Sequence, residues 1–358
     1  RLLFIDKYTK LNSINKKIGG LSMIKEAIDK LVNKQDLTFD EAKEVMNEIM
    51  SGETPDTLIS AYLVALRMKG ETIEEISGSA KGMRDNGTKL SHDMEVLEIV
   101  GTGGDKANTF NISTTSAFVA AAAGCKVAKH GNRGVSSKSG AADVLEALGA
   151  NITVEPEKSK ELLDKVGFCF LFAQKYHPAM RFVGPVRGAL GLRTIFNVLG
   201  PLTNPAGASM DIIGVYEEEL VEPVAQVLIN LGVKKGMVVF GQDTMDEITP
   251  STKTTVCEIR NGEIKSYEIN PEDYGISICK KSDLEGGDGT ENAQITKDIL
   301  SGKLQGPKRD AVLLNAGACI YVQNDHLTYE EAINIARETI DSGKAYEKLQ
   351  AYIEESNK

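Results

Sequence analysis

Gly101-Thr102-Gly103-Gly104-Asp105 stands between the apolar run Val96-Leu97-Glu98-Ile99-Val100 and an alanine-rich stretch of helical character, so a strand passes through glycine directly into a helix. Short β-branched runs alternate with helical segments further along, at Lys126–Ala128, Ile152–Val154, Phe168–Phe172, Ile212–Tyr216 and Met237–Phe240. This alternation predicts an α/β fold with a mostly parallel central sheet flanked by helices, whose ligands bind beyond the carboxyl ends of the strands. Thr254–Arg260, Asn261-Gly262 and Glu263–Ile269 read as a hairpin that adds antiparallel strands.

Upstream, from 23 to 92, the pattern is all helical. Thr38-Phe39-Asp40-Glu41 and Thr72-Ile73-Glu74-Glu75 read as capping boxes, and Pro55 opens a helix between them. A small helical domain is therefore expected over 23–92, and a larger α/β domain over 93–177 and 206–358. The Pro- and Gly-punctuated stretch 178–205 interrupts the alternation. Residues 1–22 begin without Met and show no secretory cleavage pattern, so they are set aside as an upstream extension.

The glycine cluster is not a P-loop, since no Lys-Ser or Lys-Thr pair closes it. Glycine amides and the unpaired N–H groups of a first helical turn nevertheless favour an anion, so a phosphate-bearing ligand is implied. Ser113 and Thr114 place hydroxyls in that turn, and Lys129 adds a positive charge at the end of the next strand. After Met237–Phe240 comes Asp246-Glu247, a carboxylate pair able to hold Mg²⁺.

Five separated motifs complete the picture: GTGGD (101–105), NIST (111–114), KHGNRGVSSKSGAADVLEALG (129–149), HPAMRFVGPVRGALGLRTIFNVLGPLTNPA (177–206) and Asp246-Glu247. In this order they resemble the anthranilate phosphoribosyltransferases, from about Met23 to the C-terminus. The resemblance implies transfer of a phosphoribosyl group from 5-phosphoribosyl 1-diphosphate to the amine of anthranilate, in tryptophan biosynthesis. It also implies a homodimer joined through the helical domain. It returns 178–205 to that domain, with the substrate cleft between the two domains.

Carried onto this chain, the resemblance assigns substrate binding to Gly101, Gly104, Asp105, Thr109, Asn111, Ile112, Ser113, Thr114, Lys129, His130, Gly131, Asn132, Arg133, Gly134, Val135, Ser136, Ser137 and Ala141. Arg187 takes the anthranilate carboxylate, with Asn132 on the same ring. Lys129 and Glu247 stand as catalytic residues. Asp246 and Glu247 hold one Mg²⁺, and Glu247 with Ser113 a second. Two positions depart from the family pattern: Ala141 replaces the common Ser, and Gly134 replaces Ser or Ala, which predicts a more mobile loop over 131–140.

Composition excludes several classes. The 358 residues carry a net charge of −10, which argues against a protein held on nucleic acid by phosphate contacts. No long uncharged apolar run occurs, so no membrane partner is expected. The five cysteines include no C-x-x-C pair, which disfavours zinc and points to a reducing cytoplasm. Two alternatives remain. A pyrimidine nucleoside phosphorylase shares the architecture but needs Lys-His-Ser before its glycine loop, where this chain has Val100. A nucleic-acid-binding relative without the reaction would not need Asp246-Glu247 and Arg187.

Overall fold

The computed structural model describes residues 22–134 and 137–358, so Val135, Ser136 and all of the upstream extension except Ser22 lie outside the described residues. The chain divides into two units: residues up to Asn86 with Ala179–Ile195, and Gly87–Pro178 with Phe196–Lys358.

The first unit is helical. It contains α1 (Met23–Val32), α2 (Phe39–Ser51), α3 (Asp56–Lys69) and α4 (Ile73–Asn86), together with the short helix Gly184–Leu190, which packs on α3. Both capping boxes form. The Thr38 hydroxyl accepts from the Glu41 amide while the Glu41 carboxylate accepts from Thr38, and Thr72 and Glu75 repeat the exchange. Glu75 is fully buried because it also accepts from the Leu37 amide and pairs with Lys69.

The second unit is built on one seven-stranded sheet of order β3-β2-β1-β4-β5-β6-β7. Its strands are β1 (Leu97–Gly101), β2 (Val127–Gly131), β3 (Phe168–Phe172), β4 (Met210–Gly214), β5 (Lys235–Gly241), β6 (Thr254–Arg260) and β7 (Glu263–Ile269). β1 to β5 are parallel, and β6 and β7 add the antiparallel hairpin. Asn261 and Gly262 turn that hairpin with φ of 51° and 85°, the left-handed pair that a two-residue hairpin loop requires. All five residues of β3 are buried, as expected for a parallel strand covered on both faces.

Around the sheet run α5 (Ile112–Ala122), α6 (Ala141–Ala147), α7 (Pro156–Lys165), α8 (Val221–Asn230), α9 (Gly289–Leu300), α10 (Pro307–Gln323), α11 (Tyr329–Asp341) and α12 (Lys344–Ser356). The alanine-rich α5 packs between α10 and α12. Phe118 stacks on Phe168 at 4.4 Å, and Tyr352 of α12 meets the Phe168 ring edge-on at 4.7 Å.

Three expectations are corrected. Ile152–Val154 is not a strand: the Thr153 amide is taken by the Asn151 side chain and its carbonyl by Lys175, so side chains replace a ladder there. β2 runs on past Ala128 to Gly131, which places Lys129 inside the strand. Residues 196–205 belong with the α/β unit, because Asn204 donates to the Ala128 carbonyl at 2.7 Å and the His177 ring meets the Thr203 carbonyl at 2.9 Å. The order of the sheet reverses at β1 and β4, whose carboxyl ends, Gly101 and Gly214, lie side by side. This is where open α/β sheets take their ligands.

Candidate active site

The chain leaves β5 through a tight turn. The Thr244 amide donates to the Gly241 carbonyl at 2.7 Å, and Gly241 donates to Met245 at 2.8 Å. The turn lays Asp246 across the ends of β4 and β1, so closely that side chains have no room beneath it. A Cβ on Gly214 would stand 1.7 Å from the Asp246 carbonyl oxygen, and one on Gly101 2.2 Å from Asp246 Oδ2. Beyond the pair, Asn315 of α10 holds both backbone groups of Ile248, accepting from its amide at 3.1 Å and donating to its carbonyl at 2.8 Å.

Two of the amides that the sequence offers to a ligand phosphate are already used by these carboxylates. Gly103, at φ 71°, donates to Asp246 Oδ2 at 2.6 Å, and Ser113, in the first turn of α5, donates to Glu247 Oε1 at 3.2 Å. The Ile112 amide turns back to Phe110 at 2.7 Å, while the Ile112 side chain is core. Glycine loop and helix start therefore cradle the acidic pair, an arrangement that separate sequence segments cannot announce.

Charge in this corner is not balanced. Burial, then Asp105 and Glu247, push the Asp246 carboxyl well above its ordinary range, and burial with the nearby Asp105 raises Glu247 to about 7. Lys129 is 1% exposed and donates to the Ile99 carbonyl at 2.5 Å and the Ser113 hydroxyl at 3.2 Å. Burial pulls its pKa down, and Glu98 and Glu247 oppose that pull. Buried oxygen donors carrying more negative than positive charge fit a hard divalent cation such as Mg²⁺. Among the described residues no three His, Cys, Asp or Glu side chains make a metal centre by themselves.

The neighbouring loop, after β2, is tied down instead. Asp143, three residues into the start of α6, accepts from the Gly134 and Gly140 amides, each at 2.8 Å, and from Arg133 at 3.1 Å. Arg133 also grips Glu146 with both terminal nitrogens. Gly140 is required by close approach, since its Cβ would stand 2.4 Å from the Gly134 nitrogen. The described parts of this loop are thus held by hydrogen bonds to one carboxylate. Ala141 packs its Cβ toward Gly131, where an added Cβ would lie 3.0 Å away. Ser137 donates to the Ser139 carbonyl at 3.2 Å, and Asn132 accepts from the Arg133 amide at 2.9 Å.

Asn111 joins the two loops. It donates to the Ser139 carbonyl at 3.2 Å and accepts from the Ser139 hydroxyl at 3.2 Å and from Asn292 at 3.0 Å. Thr109 bridges to Glu285, Gly104 turns at φ 78°, and Asp105 accepts from the Ala107 amide at 3.1 Å. Thr114 is buried and its hydroxyl has no protein partner. His130 donates its amide to Glu98 at 2.9 Å, and burial with the nearby His177 lowers its imidazole to about 3. Arg187 lies in the helical unit, half-buried on Gly184–Leu190, and burial lowers its pKa.

Sequence reasoning missed Glu98, Asp143, Asn204, Asn292 and Asn315. Two had a signal: Glu98 is a charge inside an apolar strand, and Asp143 is an acid at the third position of a helix. Asn204 stood inside the 177–206 motif, while Asn292 and Asn315 had none, since each acts on a segment distant in the chain.

The α/β domain model of the glycosyl transferase family matches residues 93–346, and its helical bundle domain model matches 25–87. The anthranilate phosphoribosyltransferase of Lachnoclostridium phytofermentans is 60% identical over 94% of this chain and 100% of its own length. Among solved structures, anthranilate phosphoribosyltransferase from Thermus thermophilus is similar with a TM-score of 0.88 at 42% identity, covering 93% of this chain and 99% of that one. The enzyme from Saccharomyces cerevisiae, in complex with PRPP and Mg, is similar with a TM-score of 0.87 at 31% identity, covering 94% and 99%.

Proposed function

We propose a division of labour for a chain that belongs to the anthranilate phosphoribosyltransferase family. It transfers the phosphoribosyl group of 5-phosphoribosyl 1-diphosphate to the amine of anthranilate, giving N-(5-phosphoribosyl)anthranilate and diphosphate, and it binds Mg²⁺. The observation that carries the division is the seat of Asp246 over Gly101 and Gly214, beside Ser113 and Lys129, at the reversal of the sheet.

We assign the donor's diphosphate to this corner. Asp246, Glu247 and Ser113 would hold Mg²⁺, two ions in our reading, and the bound metal would offset the diphosphate charge and favour its departure. Lys129 supports that charge from beneath, through the Ser113 hydroxyl it contacts. Gly104, Asp105, Thr109, Asn111, Thr114 and Ser137 complete the donor side. The acceptor amine attacks C1 as positive charge develops on the ribose. His130 is too weak a base to take its proton, so positioning and electrostatics carry the rate.

Anthranilate is assigned to Arg187, whose planar fork matches a carboxylate, and to Asn132. A homodimer through the helical unit is the assembly we infer, supported by the exposed side chains of Val32, Met68 and Leu192 on that unit. A reducing cytoplasm suits the free thiols, four of them buried. The test is the fluorescence of anthranilate, followed with the phosphoribosyl donor in the presence and absence of Mg²⁺. Donor- and metal-dependent loss of signal is expected; phosphate-dependent cleavage of uridine or thymidine with no loss of anthranilate would replace this reading with the phosphorylase.

A further inference from the structure

The turn that carries the acidic pair holds a conformation its residues resist. Thr244 has φ 75°, in the left-handed region where the Cβ of a β-branched residue crowds the backbone. Such outliers persist only where the surroundings over-determine them. Two residues later comes Asp246, so relaxation of Thr244 toward negative φ would swing the peptide that presents the carboxylate pair.

The surroundings do over-determine it. Asp243 accepts from the Met245 amide at 3.3 Å, from the Thr249 hydroxyl at 3.1 Å and from the Ser251 hydroxyl. From a separate segment, at the start of the short helical turn Lys281–Leu284, Lys281 donates to the Asp243 carbonyl at 2.5 Å and to the Thr244 hydroxyl at 3.0 Å. Its ammonium thus grips the peptide oxygen just before the strained residue and that residue's own side chain.

We propose that Lys281 is a positioning residue for the reaction, a brace that holds the strained turn at Thr244 so that Asp246 and Glu247 face the cation. Its role is exerted through the Asp243 carbonyl and the Thr244 hydroxyl. The proposal rests on the reading of Asp246-Glu247 as the Mg²⁺ site. Its distinguishing consequence is coupling: a glycine adopts positive φ without strain, so removing the strain should remove much of the need for the brace.

The test compares Lys281→Met, Thr244→Gly and the double variant. In metal-free protein, hydrogen exchange with mass spectrometry over 242–248 should quicken about tenfold in Lys281→Met, but less than about threefold when the same change is made on Thr244→Gly. Half-saturating Mg²⁺ should rise about tenfold in Lys281→Met, with kcat at saturating Mg²⁺ within about twofold of wild type. Lys281 is a half-buried surface residue, and circular dichroism checks that each variant folds. Unchanged exchange in Lys281→Met, or the same factor in both backgrounds, overturns the brace. Coupled exchange in a protein whose wild type is indifferent to Mg²⁺ instead overturns the reading of the acidic pair.

Discussion

At the ends of β1 and β4, Asp105, Asp246 and Glu247 crowd together beside a single buried lysine, and the carboxyls of Asp246 and Glu247 are pushed upward. At the end of β2, Asp143 and Glu146 are met by Arg133 and by the Gly134 and Gly140 amides. Their carboxyls are lowered, Glu146 by Arg133 and Asp143 by those amides and Arg133 against some burial. Both loops use glycine for close approach, yet one crowds acidic groups beside a buried lysine and the other neutralises its own. Burial without compensation is costly and persists where a ligand supplies the missing charge; a satisfied exposed network supplies shape at small energetic value.

The comparison breaks first if the crowded corner proves dispensable. Glu247→Ala should lower turnover by about 100- to 1,000-fold, the scale of losing a group that stabilises developing charge. Steady-state kinetics at saturating donor and Mg²⁺ check it, and near wild-type turnover in a folded variant would sink the assignment.

Gly214→Ala tests the corner without removing a charge. Its Cβ would overlap the Asp246 carbonyl at 1.7 Å, so the pair must move, and a displacement of about 1 Å costs roughly 100-fold in rate. The loss should fall on donor and Mg²⁺ dependence more than on the KM for anthranilate. A variant with unaltered kinetics would show that the corner tolerates motion.

Opposite pH signatures sharpen the contrast. Glu98, buried beneath the corner, is raised to about 8 from an ordinary 4.5, so it holds its proton more tightly folded than unfolded. Its contribution therefore falls as pH rises between those values. Asp143 is lowered from 3.8, so its contribution is present above that value and lost as pH falls through the folded one. The Tm of Glu98→Gln should decline less than wild type between pH 4.5 and 8, and Asp143→Asn should lose less of its Tm on acidification below 3.8. Parallel profiles for all three proteins would contradict the distinction.

The smallest effect is expected at Arg133, whose ion pairs with Asp143 and Glu146 are exposed. Arg133→Ala should leave stability close to that of wild type, because such exposed pairs are worth little in water. Chemical denaturation measures it. The same variant should change the KM for the donor by less than about threefold, since Asp143 still holds both glycine amides.

Much of this was legible in the chain. The capping residues Thr38 and Thr72, the Asn261-Gly262 hairpin and the strand runs of 96–100, 168–172 and 237–240 act through neighbours a few residues away, so local chemistry announces them. Ile152–Val154 misled because Ile152 and Val154, on either side of an exposed Thr153, are buried equally well in a loop whose backbone bonds go to side chains. Arg133 stood among the ligand residues by motif, while its partners at 143 and 146 emerged only when α6 turned back on the loop.

The sequence by itself determined the alternation of strands and helices, the glycine-marked strand end and the set of charged residues available for chemistry, because these depend on spacing and residue type. Tertiary structure alone decided where each charge is spent. Gly101, Ser113, Gly214 and Asp246 lie far apart in the chain, and only the reversal of strand order at β1 and β4 brings their backbones within contact. Two amides that local reasoning offers to phosphate are thereby given to carboxylates. A hydrogen bond is filled by the nearest suitable acceptor in space, and which acceptor is nearest is a property of the fold.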